Sequence, residues 1–210
     1  MRKITVLSFI TLDGVMQSPG SPEEDIDNDF TLGGWVAPYG DEESGQFMQK
    51  QLKPAELLLG RKTFEIWEKY WPSHAEYWLG INEVTKYVFT NTVNSTEWSN
   101  VAFINDIESI KQIKASQGGD INVWGSSKLV QLLLHHGLVD EFWLNIHPII
   151  LGKGKKLFNG QAVPAAFEIV ESKVTSKGLI MVNYKKIGDV KTGNAGNFFC
   201  RGNAGQKVWR

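Results

Sequence analysis

One cysteine, Cys200, stands in a chain of 210 residues. That scarcity excludes an internal disulfide and a thiolate cluster for zinc, and it fits a reducing compartment. An excess of charge is also missing, since 22 Lys and Arg stand against 23 Asp and Glu for a net charge of −1. No overall field draws such a chain to nucleic acid or to an anionic membrane, so any polyanion must be held locally. No run approaches the ~18 consecutive apolar residues of a membrane-spanning helix. Met1 to Ile10 opens on two cations, but Thr5 and Ser8 break its apolar stretch and no small-residue cleavage site follows. It reads as a strand rather than a leader, and cytoplasm is the expected compartment. The sequon Asn94-Ser95-Thr96 has meaning only in the secretory pathway and is taken as chance.

Signature motifs are scarce too. Gly152-Lys153-Gly154 is followed by Lys155-Lys156-Leu157, so there is no G-x-G-x-x-G, and it lies far from the first strand. The standard dinucleotide-binding fold is therefore not expected. The chain has neither the P-loop of nucleoside triphosphatases nor the G-x-S-x-G nucleophile elbow. Its four histidines, His74, His135, His136 and His147, include no H-E-x-x-H, and adjacent His135 and His136 point to different sides of a helix. No metal site is expected.

What is present is alternation. With 42% hydrophobic residues the chain can build one core, which we place in residues 1–187, leaving a Gly/Asn-rich tail at 188–210. After the first strand, Thr11 to Tyr39 has no period and reads as a long loop. A helix is expected over Asp41 to Leu52, capped by Asp41. The strand Glu56 to Leu59 leads through Gly60 into a helix over Lys62 to Trp71. A helix over Trp78 to Thr85 precedes the strand Lys86 to Thr90. A helix over Asp106 to Ala115 precedes the strand Asp120 to Trp124, and a further helix covers Ser127 to His136. From Val139 only strands follow: Asp140 to His147, Ala166 to Thr175 and Leu179 to Lys186. The expected fold is α/β, a central mostly parallel mixed sheet with antiparallel C-terminal strands and flanking helices. The tail is either loose or a docked strand through Asn197 to Cys200.

Ligands of open α/β sheets sit outside the carboxyl ends of the strands, and three strand ends carry suitable chemistry. At the first, Gly60-Arg61-Lys62-Thr63 offers a close backbone approach, two cations and a hydroxyl, the makings of a phosphate site. A plain glycine turn with a solvated Arg-Lys pair fits the same residues. At the second, Thr90-Asn91-Thr92 offers groups for a ribose or its 2′-phosphate, or ordinary turn chemistry. At the third, Gly125-Ser126-Ser127 brings glycine and hydroxyls to a helix start, where a pyrophosphate or a simple helix cap would fit. Asp13, in Leu12-Asp13-Gly14, stands where the first strand ends; it is either a proton-handling carboxylate or an Asp-Gly turn.

Taken in order, these residues resemble the dihydrofolate reductase-like proteins, and among them the riboflavin-biosynthesis reductase C-terminal domain and its stand-alone relatives. The resemblance spans about Ile4 to Lys186. It rests on Ser8 with Leu12-Asp13-Gly14, Gly33-Gly34-Trp35, Leu59 to Glu65, Trp124-Gly125-Ser126 with Leu129-Val130, and Gly137 to Glu141 leading to Pro148 to Gly152 and Gly154. It implies NADPH across the strand ends and hydride transfer to a small, often heteroaromatic substrate. Gly60, Arg61, Lys62, Thr63, Thr90 and Asn91 would hold the adenosine phosphate side, and Gly125, Ser126 and Ser127 the pyrophosphate. Leu12 to Val15 would close on the nicotinamide, with Asp13 or a water managing the proton. Arg61 and Lys62 suit the 2′-phosphate of NADP.

The chain departs from dihydrofolate reductases proper at Ser126, where they carry a second glycine. The substrate carboxylate of those enzymes has no clear counterpart among Asp25, Asp27, Asp29 and Asp41. With no paired cysteines for a deaminase zinc, riboflavin synthesis is not implied either. Eight tryptophans, among them Trp35, Trp67 and Trp124, could include a stacking face for a flat substrate; most are expected in the core, and Trp35 in the loop is the candidate for the substrate pocket. By analogy with relatives, the late strands, with Phe142, Trp143 and Ile146, would join two subunits as a homodimer. A cofactor-binding dimeric module without turnover is the alternative reading.

Overall fold

The structure is a computed structural model that describes residues 1–158, 160 and 162–194. The expected strand through Asn197 to Cys200 lies outside the described residues. Among the described residues eight strands form one sheet: β1 (Ile4–Thr11), β2 (Glu56–Gly60), β3 (Lys86–Phe89), β4 (Val101–Ile104), β5 (Ile121–Val123), β6 (Glu141–His147), β7 (Ala166–Val174) and β8 (Ile180–Gly188). Their order is β4-β3-β2-β5-β1-β6-β8-β7. Pairing is parallel from β4 through β6, and β8 and β7 then add in antiparallel register. This is the mixed sheet that the alternation predicts.

β1 lies in the middle, with β5 on one side and β6 on the other. Its run Ile4, Thr5, Val6, Leu7, Ser8, Phe9, Ile10 is buried almost throughout, as a strand covered on both faces must be. α4 (Ser127–His135) lays Leu129, Val130 and Leu133 against Ile4, Val6, Ile121 and Val123. A second cluster joins Leu57, Leu59 and Val88 to Phe64 of α2 (Arg61–Trp67), with Trp78, Ile81 and Trp98. α1 (Glu42–Gln51) contributes Phe47 to a third, with Leu179 and Met181. α3 (Ile107–Ala115) buries Ile110.

Three expectations change. Val101–Ile104 forms β4 beside β3, a four-residue apolar run too short to show a period. The helix expected over Trp78 to Thr85 is a series of turns. Gly80 there has φ +86°, and the fully buried Lys86 ammonium collects the carbonyls of Ile81 and Val84, each at 2.8 Å. Carbonyls turned to solvate a buried cation are lost to a helical ladder. Finally, β6 is interior to the sheet, so Phe142, Trp143 and Ile146 face neighbours within the chain rather than a free edge. The exposed apolar residues Ile169, Val170, Val174 and Ile187 lie instead on β7 and β8.

Candidate functional site

β2 and β5 pair in parallel, β2 ending at Gly60 and β5 at Val123, two residues before Gly125. The Gly60 N–H donates to the Gly125 carbonyl at 3.0 Å. A Cβ on Gly60 would lie 2.2 Å from Ser126 Oγ and 2.8 Å from Ser126 N, and one on Gly125 would lie 2.7 Å from Thr63 Oγ1. The two turns therefore interlock, each glycine vacating the space that the other turn fills. Gly125 has φ +133°, and the Gly125–Ser126 peptide bond is cis.

The helices that leave these turns begin unusually. Gly60 is the N-cap of α2 and has no side chain; Ser126 is the N-cap of α4 and makes no capping hydrogen bond. The first N–H groups of α4 thus have no side-chain acceptor, although a helix start leaves them without intrahelical partners. They open on a cavity of about 650 Å³. Gly60, Arg61, Lys62, Thr63, Thr90, Asn91, Gly125, Ser126 and Ser127 all line it, so one space gathers every residue expected to hold the cofactor.

Several of these groups already have partners. Thr90 Oγ1 accepts the N–H of Thr92 at 3.1 Å and of Val93 at 3.2 Å, a turn role, whereas Asn91 is exposed. Arg61 grips Glu65 through two bonds of 2.7 and 2.8 Å. Lys62 lies 3.2 Å from Asp27, and Lys155 joins Asp25 at 2.6 Å and Asp27 at 2.7 Å. Hydrogen bonds from Lys155 and then Lys62 pull the Asp27 carboxyl down to about 2. This network ties the long loop to the start of α2.

Asp13 lies outside the cavity lining. Its carboxylate accepts Thr11 Oγ1 at 2.6 Å, Leu151 N at 3.2 Å and Gly152 N at 2.9 Å. The Thr11 hydroxyl foremost, opposed by burial and helped by these backbone donors, holds it below the usual carboxylate range. That is a turn-fixing role. Trp35 is 7% exposed, donates Nε1–H to the Gln17 carbonyl at 2.8 Å and meets His147 edge-on. It also stands outside the lining. Leu12 to Val15 is pinned to residues 149–157 by backbone bonds, and Met16 to Gly20 face the cavity in its place.

The structure adds residues that sequence reasoning passed over. Glu24 lines the cavity with Oε2 accepting the Gly20 N–H at 2.7 Å, and burial pushes its carboxyl above the usual range. Nothing in the local sequence separates it from Glu23, Asp25 and Asp27. Trp67, Trp71, Trp78 and Trp124 form one wall, with Trp78 and Trp124 ring centroids 5.5 Å apart and Trp71 and Trp78 5.1 Å apart. Among the described residues no group of three or more His, Cys, Asp or Glu could hold a metal ion, and no helix is long and apolar enough to cross a membrane.

Residues 2–181 match the family described as the RibD C-terminal domain. The chain belongs to the RibD C-terminal domain family. It is 35% identical over 136 residues to the uncharacterized protein YyaP of Bacillus subtilis, a match that covers 61% of this chain and 72% of that protein. A provisionally assigned riboflavin biosynthesis protein of Shewanella sp. PV-4 superposes with a TM-score of 0.60 at 18% identity, over 88% of this chain and 99% of that one. Dihydrofolate reductase of Enterococcus faecalis, complexed with NADP(H) and RAB-propyl, superposes with a TM-score of 0.57 at 17% identity, over 89% and 95%. At these identities the two structures establish the fold. This RibD C-terminal domain chain thus has the dihydrofolate reductase-like fold.

Proposed function

We propose that this RibD C-terminal domain protein is a cytoplasmic, NADPH-dependent reductase of a small, flat substrate. The observation that carries the reading is the interlocked pair of glycine turns, because a Cβ at Gly60 or Gly125 would force the two turns apart and because α4 starts there uncapped. Gly125, Ser126 and Ser127, with the first N–H groups of α4, would take the pyrophosphate. Gly60 to Thr63 with Thr90 and Asn91 would take the adenosine phosphate side, and Arg61 and Lys62 would exchange their carboxylate partners for the 2′-phosphate dianion. When bound, the nicotinamide supplies the hydride. Glu24 is the carboxyl within the cavity that burial pushes above the usual carboxylate range, which suits proton donation to the reduced substrate, whereas Asp13 fixes the turn beside it.

The test is loss of nicotinamide absorbance against a panel of flat acceptors, with Glu24→Gln as the partner variant. Turnover that falls in Glu24→Gln while NADPH affinity holds is the expected result. NADPH binding without consumption of any acceptor would favour a binding module, and no binding at all would end the reading. The exposed apolar residues of β7 and β8 support a homodimer through that outer edge. Sedimentation of the wild type against Val170→Lys checks it, the variant being expected as a monomer.

A further inference from the structure

The lining of the cavity is divided by charge. Its charged side chains are Glu24, Asp25 and Asp27 of the long loop with Lys155, Arg61 and Lys62 at the start of α2, and Lys128 in the first turn of α4. The other wall is built from Phe9 of β1, Met48 and Leu52 at the end of α1, Ile66 and Trp67 at the end of α2, and Trp71, Trp78 and Trp124. It contains no cation and no carboxylate. Arg61, Lys62 and Lys155 are paired with Glu65, Asp27 and Asp25.

A carboxylate or phosphate brought against that wall would lose its hydration and find no counter-charge, which is among the largest penalties a ligand can meet. A flat neutral ring meets the opposite situation. Indole faces carry negative π density and favour the positive face or edge of an electron-poor ring, with the rest of the gain coming from apolar area removed from water. Hydride acceptors are electron-poor by nature, so the wall and the chemistry select the same kind of molecule.

Resting on the reductase reading above, we infer that the substrate is an uncharged, electron-poor aromatic heterocycle or quinone that carries no phosphate or carboxylate tail, seated against Trp67, Trp71, Trp78 and Trp124. Reduction then adds a hydride from NADPH to an electrophilic ring atom and a proton from Glu24 or solvent to its conjugate heteroatom, giving NADP⁺ and the two-electron-reduced ring.

A matched pair of probes isolates the charge: quinoxaline-2-carboxamide and quinoxaline-2-carboxylate share a ring and differ in the tail. Calorimetry and quenching of tryptophan emission, on the full chain without cofactor, should show the carboxamide binding at least about tenfold tighter, a difference of ~1.4 kcal/mol. Met48→Arg places a cation in the wall and should reverse the order, a gain of carboxylate binding that misfolding cannot imitate. Equal affinities in the wild type, no carboxamide binding up to about millimolar concentration, or an unchanged order in Met48→Arg would overturn the inference. NADPH titrated separately keeps the two claims apart. If NADPH binds and the probes fail to discriminate, the substrate class falls and the reductase stands. If the carboxamide binds and NADPH does not, the aromatic wall stands and the reductase reading falls.

Discussion

Of the four α-helices among the described residues, two begin with an aspartate cap and two begin bare. Asp41 accepts the Ser44 N–H at 2.8 Å and completes a capping box on α1, and Asp106 accepts the Ser109 N–H at 2.8 Å on α3. α2 starts at Gly60 and α4 at Ser126, neither with a side-chain cap, and both turns line the cavity. An aspartate is the better choice for a helix considered alone, and the worse one where an anion is to bind, because its carboxylate would occupy the donors and repel the ligand. The difference separates helix starts that serve stability from those that, on the proposed reading, are kept open for a ligand.

Gly60→Ala breaks the comparison hardest. The new Cβ would lie 2.2 Å from Ser126 Oγ, so we expect roughly 1–3 kcal/mol of overpacking and a loss of NADPH affinity on the order of a hundredfold or more, read by denaturation and by cofactor titration. Ser126→Asp sharpens it by giving α4 the cap it lacks. NADPH affinity should fall by roughly a hundredfold while stability moves by less than about 1 kcal/mol. A variant that binds as tightly as the wild type would show that the bare helix start has no part in binding. Arg61→Ala with Lys62→Ala should cost about tenfold in NADPH affinity and leave NADH affinity unchanged.

At the capped helices the pattern inverts. Asp106→Ala should lower the melting temperature by about 2–4 °C without affecting NADPH affinity. The Ser109 hydroxyl and then its backbone N–H lower the Asp106 carboxyl, so its folded value lies below its unfolded one. The stability it contributes is therefore present above about pH 3.9, the unfolded value, and is lost as the pH falls through the folded one. Thermal melts from neutral to acid pH should converge for wild type and Asp106→Ala. The smallest effect belongs to Asp13→Asn, which weakens the acceptor for Leu151 and Gly152. A slightly lowered melting temperature with unchanged turnover is expected, and a collapse of turnover would return Asp13 to the chemistry.

Much of this was legible in the residues, for reasons that can be named. The alternation of helix and strand from Glu56 to His136 and the later run of strands imply the sheet, because period and turn residues are local signals. The strand ends at Gly60 and Gly125 were legible as candidates because glycine beside hydroxyls suits tight turns and anion sites, and Thr90-Asn91-Thr92 because three polar side chains follow a strand. The convergence of all three depends on β2, β3 and β5 lying near one another, which no local window contains. The choice between cap and open helix start at Ser126 was likewise undecidable, since the same serine serves either. Asp13-Gly14 resembles the other strand-end turns, and only its bonds to Leu151 and Gly152, distant in sequence, remove it from the cavity. Trp35 and the other tryptophans exchange roles for the same reason: Gln17 and His147 enclose the loop tryptophan, while the stripe of Trp67 and Trp71, read as core, borders open space.

The most direct test of the account is titration of the purified chain with NADPH, following tryptophan emission and energy transfer to the nicotinamide, beside Gly60→Ala and Asp106→Ala. Because Trp67, Trp71, Trp78 and Trp124 line the cavity, binding should quench their emission and sensitise the nicotinamide. The account predicts saturable transfer in the wild type and in Asp106→Ala, and none in Gly60→Ala that still melts cooperatively. Absence of transfer in the wild type up to about 1 mM NADPH, or equal transfer in all three proteins, would contradict it.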